Sequence, residues 1–114
     1  MTTWPFEPFV REIVGLLVRG EYSKLETLSG GVRLSAADVA RAVQDYGVQL
    51  ALPPKEREPA LEVVPVLNSE PPRWSVHVPL WSVQEGPSDL TLELSILERS
   101  EGHYQVEIDD LHVL

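Results

Sequence analysis

The chain has 114 residues, 43% of them hydrophobic, no cysteine and a formal net charge of −9. A chain of this size and apolar content can build one core and argues against disorder, and the missing thiols exclude a disulfide scaffold, a cysteine-ligated zinc site and a thiol nucleophile. Residues 1–57 carry seven Lys/Arg against seven Asp/Glu, while residues 58–114 carry two, Arg73 and Arg99, against eleven. The acidic surplus of the second half disfavours a nucleic-acid partner, whose phosphates need a basic surface; it suits a basic protein or a cation, or simply a solvated acidic surface.

The N-terminal stretch MTTWPFEPFVREIVGLLVRG has its longest apolar run at Ile13 to Val18. That is too short to span a membrane, and Glu7, Arg11 and Glu12 lie where a leader would be apolar. The expectation is a soluble, cytoplasmic protein forming one domain over residues 1–114. Phe9, Val10, Ile13, Val14 and Leu17 fall at helical spacing, with Pro5 and Pro8 at the entry and Gly20 at the exit. Tyr22, Leu25 and Leu28 predict a short helix ending at Gly30–Gly31. Ser35-Ala-Ala-Asp38 is close to a capping box, with Asp in place of Glu, and opens a third helix closed by Gly47. Residues 48–52, VQLAL, read as extended, and PPKEREP as a polar loop.

From Leu61 the period changes to two. LEVVPVL is a weak strand, placed at an edge or a bulge by Pro65. Trp74, Val76, Val78 and Leu80 alternate with Ser75, His77, Pro79 and Trp81. Leu90 to Ile96 and Tyr104 to Ile108 alternate in the same way, giving three half-buried antiparallel strands. Gly86-Pro87 reads as a break between strands, with Glu85 and Asp89 in the turn. Ser88 and Asp89 are expected to fix the bend through local hydrogen bonds, and Glu85 has no evident structural task. For the last hairpin, parity demands an even sum for paired residue numbers. A loop of Arg99, Ser100 and Glu101 with Gly102 at positive φ places Glu93 opposite Glu107; the next even register places it opposite Asp109. Either way like charges face each other. The inward phase switches after Ile108, which predicts a bulge at Asp109–Asp110.

Three helices followed by a curved antiparallel sheet make an α+β fold. The order of a helix, GEYSKLETLSGG, a capped helix ending in DYG and then long hairpins resembles the NTF2-like (cystatin-like) superfamily. That resemblance implies an α+β roll with helices packed on a curved antiparallel sheet around a conical cavity. RWSVHVPLWSVQEGPSDLTLEL and YQVEIDDLHVL also resemble an uncharacterised family of small bacterial proteins. The superfamily holds enzymes, transport adaptors and binding domains, so the fold alone carries no function.

Two chemistries compete. In the first, a non-enzymatic binding domain meets a basic protein through an acidic surface. That surface comprises the sheet face with Glu93, Glu107 and Asp109, and the turn with Trp81, Glu85 and Asp89; Trp81 is out of phase with the core face and so free to anchor a partner. An immunity-like role against a basic toxin fits by analogy. In the second, the cavity binds a small molecule, with Asp110 and His112 in acid/base roles and Trp74 and Tyr104 shaping the pocket. A homodimer through the sheet is a third arrangement. Glu85, Asp89, Asp109, Asp110 and His112 show no metal-ligand spacing, and neither a metal nor a cofactor is expected. There is no nucleophile elbow and no phosphate loop.

Overall fold

Two prolines set the start of helix α1 (Glu7–Val18) in a computed structural model that describes residues 4–57 and 61–113. Just before it, the Glu7 carboxylate accepts a 2.7 Å hydrogen bond from the backbone N–H of Trp4. The stripe of Val10, Ile13, Val14 and Leu17 is buried. Helix α2 (Tyr22–Ser29) stops at Gly30, which takes φ +74°, the left-handed conformation that glycine adopts at least cost. Helix α3 (Ala36–Tyr46) opens with the expected capping box. Ser35 Oγ accepts from the Asp38 N–H at 3.2 Å, and Asp38 Oδ2 accepts from the Ser35 N–H at 3.0 Å. The bond from the Ser35 backbone is the main reason that the Asp38 carboxyl lies below its usual range. Among the described residues, no helix is long and apolar enough to cross a membrane.

The strands are β1 (Leu50–Ala51), β2 (Glu62–Pro65), β3 (Arg73–Ser82), β4 (Gly86–Ser100) and β5 (His103–Val113). A short 3₁₀ turn, Lys55–Arg57, follows β1, and the end of the PPKEREP loop lies outside the described residues. All pairings are antiparallel, in the order β1-β3-β4-β5, with β2 also on β3. Strands β2 and β1 share the edge of β3 that β4 leaves open, β2 along residues 74–77 and β1 at 81–82. Pro65 ends β2 opposite Trp74, where its missing donor matters little. The described residues thus form an α+β fold: three helices, then an open five-stranded antiparallel sheet.

One face of the sheet packs against the helices. Val76, Leu94 and Ile96 are fully buried there, together with Ile13, Leu17 and Phe6. Each such side chain contributes about 1.5–3 kcal/mol on leaving water. Phe6 stacks on Trp4 and meets Trp74 and Tyr104 at ring-centroid distances of 5.4 and 5.9 Å. Trp74 and Tyr104 therefore pack the core.

Two local expectations are corrected. Gly86-Pro87 does not interrupt the strand: β4 begins at Gly86, with Ser82 opposite Gly86 and Trp81 opposite Pro87. Gly86 has φ +69°, so it turns the chain out of residues 83–85 and straight into the ladder. Further along, Leu80 faces a stretch of extra chain at residues 88–90. Ser88 Oγ fixes this irregularity, donating to the Leu80 carbonyl at 2.8 Å and accepting from the Leu90 N–H at 3.2 Å.

In the last hairpin the turn is shorter than expected. Ser100 pairs with His103 across Glu101 and Gly102 alone, with Gly102 at φ +78° and Arg99 as an extra residue. Leu94 then opposes Ile108, Ser95 opposes Glu107 and Ile96 opposes Val106. Asp109 is a second extra residue, the expected bulge, beyond which Glu93 opposes Asp110 rather than Glu107 or Asp109. The two extra residues lie on opposite strands and offset each other. Like charges do face each other, with a different partner.

Candidate functional site

Antiparallel pairing brings directly opposite residues to the same face. On the face away from the helices, the pairings set Glu62, His77, Glu93 and Asp110 in one transverse row over β2, β3, β4 and β5. His112 belongs to the next row, opposite Thr91. The bulge at Asp109 turns Asp110 and His112 outward while Leu111 between them is buried.

Glu93 is the centre of this group. Its Oε1 lies 3.5 Å from His77 Nε2 and its Oε2 lies 3.7 Å from His112 Nδ1, and the same His112 nitrogen is 3.1 Å from Asp110 Oδ2. Asp110 also accepts a 2.8 Å bond from the Leu111 N–H. The side chains of His77, Glu93 and His112 are about one-third exposed and that of Asp110 about half. No Lys or Arg of the described residues pairs with Glu62, Glu93 or Asp110; the only cationic neighbours are imidazoles, charged only when protonated.

The remaining acidic residues of this face are neutralised. Glu107 Oε1 accepts from Arg73 at 3.1 Å. Asp109 Oδ1 is 3.2 Å from Arg33 Nε, and its Oδ2 accepts a 2.6 Å bond from Ser95 Oγ. Both carboxylates are only 15% exposed, so their charge is already committed within the molecule.

The hairpin end is separate. Tyr46, at the end of α3, donates its hydroxyl to Glu85 Oε1 at 2.8 Å and accepts the Asp89 N–H at 3.1 Å. Glu85 thus has a structural task, tying the helix to the hairpin. Hydrogen bonding to Glu85 is the main cause that raises the Tyr46 hydroxyl pKa above its ordinary value. The Trp81 ring is covered by the Arg57 guanidinium at 5.2 Å. Trp81 also borders a cavity of about 240 Å³ between α1, β3 and the chain after β1. Val10, Val14, Leu52, Val78 and Leu80 line it, with Glu7, Arg11 and Lys55 also on the wall; Asp110 and His112 are not among its lining residues.

Of the residues singled out from sequence, Glu93, Asp110 and His112 therefore come together, whereas Trp81, Glu85 and Asp89 lie nearer the β3–β4 hairpin and outside that group. His77 and Glu62 complete the row without having been singled out. Their signal was phase: Glu62 and His77 point away from the core, as Asp110 and His112 do beyond the bulge.

The fold and the site define an α+β domain with one sheet face packed under helices and the other presenting a carboxylate–imidazole row. The chain belongs to the family described as a domain of unknown function, DUF7668, which matches residues 14–114. No curated protein and no solved structure matches it.

Proposed function

We propose that the protein is a non-catalytic binding domain that takes a basic protein partner on the outer face of its sheet, centred on Glu93. The observation that carries this reading is the row Glu62–His77–Glu93–Asp110, in which three carboxylates line up across four strands without a Lys or Arg partner among the described residues. Like charges opposite each other on a sheet cost about 0.2–1 kcal/mol, and a Lys or Arg from a partner turns that cost into attraction. The pairing of Glu107 and Asp109 with arginines narrows the surface to this row. Trp81, Glu85 and Asp89 would then act at its margin at most. An immunity-like role against a basic toxin belongs to this class of interaction. The helices on one face of an antiparallel sheet support keeping the NTF2-like likeness.

The alternative, acid/base chemistry in a cavity, draws on the 3.1 Å contact between Asp110 and His112. That pair is on the outer face and the described apolar cavity is elsewhere, so binding is the better-supported reading.

The test is capture from the native lysate on immobilised protein at low and high salt, with mass spectrometry of what is retained. The wild type should hold a basic protein that high salt releases, and the Glu62→Gln/Glu93→Gln/Asp110→Asn variant should not. Retention of the same proteins by the variant would sink the reading. Retention of only further copies of this chain would replace it with a homodimer.

A further inference from the structure

We propose that Glu93, Asp110 and His112 bind one divalent first-row transition-metal ion, zinc above all, on the outer face of the sheet. This goes beyond the partner reading, competes with it for the Glu93 and Asp110 carboxylates, and stands without it.

The first observation is convergence. One ligand atom from each of the three residues lies within 4.8 Å of the others, and His112 Nδ1 is 3.1 and 3.7 Å from the nearer oxygens of Asp110 and Glu93. Tetrahedral zinc with bonds of about 2.0–2.1 Å holds neighbouring ligand atoms about 3.3 Å apart. Small side-chain rotations therefore close the site. The bulge at Asp109 supplies the geometry, since it presents Asp110 and His112, two residues apart, beside Glu93 on the neighbouring strand.

The second observation concerns the histidine of the cluster. His112 Nδ1 is shielded from solvent and makes no hydrogen bond. A shielded polar nitrogen without a hydrogen bond is costly, although a protonated imidazole would pair with Asp110 3.1 Å away. Deprotonated, it turns a lone pair toward two carboxylates, and in that form a divalent metal ion satisfies all three at once. One imidazole nitrogen and two carboxylate oxygens, without sulfur, suit zinc, cobalt, nickel or manganese; magnesium and calcium prefer all-oxygen shells, and copper(I) prefers sulfur. His77 Nε2 stands 3.5 Å from the other Glu93 oxygen and acts as a positioning residue, holding the carboxylate toward His112.

The test is calorimetric titration of the chelator-stripped protein with zinc chloride, with cobalt(II) absorption as an optical probe of the ligand shell. One ion should bind per chain, more weakly as the pH falls, because protons compete for the imidazole. His112→Ala and Glu93→Gln should each lower the affinity at least about tenfold, while His103→Ala in the exposed final hairpin should leave it unchanged. Asp110→Asn, at the more exposed position, keeps the test open if either of the first two variants fails to fold. Absence of zinc binding by the folded wild type, or equal affinity in folded His112→Ala or Asp110→Asn, would overturn the proposal. Repeating the lysate capture with chelator present separates its failure from that of the partner reading.

Discussion

Glu85 faces solvent at the end of the β3–β4 hairpin, yet its carboxylate is engaged by a residue 39 positions earlier in the chain. Tyr46 is the hinge of that contact: it donates to Glu85 and accepts from the Asp89 backbone. The donated bond favours the neutral phenol, so its pKa is raised on folding. The associated stability is fully present below the free phenol range, about pH 10, and is lost as pH rises through the raised folded value. Tyr46→Phe should lower the urea midpoint at about pH 8, and the gap to wild type should shrink at about pH 11. A gap that grows on the alkaline side would mean that the phenolate is the form the fold prefers. Glu93 is the opposite kind of residue. It sits beside imidazoles and opposite another carboxylate, with no fixed cation to settle its charge.

At the scale of elements, the helices were legible because their signals are local. Ser35 and Asp38 cap each other, Gly30 and Gly47 take positive φ, and the α1 stripe is buried as its spacing predicts. Strand identity was legible from alternation, and so was the bulge at Asp109 from the change of phase. Register was legible only as a choice between two even sums; the second holds from Leu94 to Glu98, and the turn selects it through the extra residue Arg99. Gly86-Pro87 reads as a breaker, but ladder pairing with Trp81 and Ser82 overrides it. The site followed the same rule. Its members were visible as outward-facing residues, while their meeting depends on three strand pairings. Gly102 carries a checkable part of this account: at φ +78° and with open space around its Cα, Gly102→Ala should cost about 1–2 kcal/mol from backbone conformation alone. Unchanged stability in chemical denaturation would show that the turn takes another form.

For the whole molecule, charge and architecture divide along the same line. The helical half is balanced, and the acidic surplus belongs to residues 58–114, which supply most of the sheet. Part of that surplus is neutralised by Arg33 and Arg73, one reaching from the α2–α3 connection and one from β3. Among the described residues without a Lys or Arg partner, Glu62, Glu93 and Asp110 are the ones that strand pairing gathers into a row. If that row is kept for binding, it is kept at some expense of stability, as functional sites commonly are. The measurement that tests this most directly is Glu93→Gln, assayed both for urea unfolding and for affinity toward the captured partner. The account predicts a variant about 0.2–1 kcal/mol more stable than wild type that binds the partner at least about tenfold more weakly, as loss of an interfacial charge pair requires. A variant that gains stability and binds as well as wild type would contradict it.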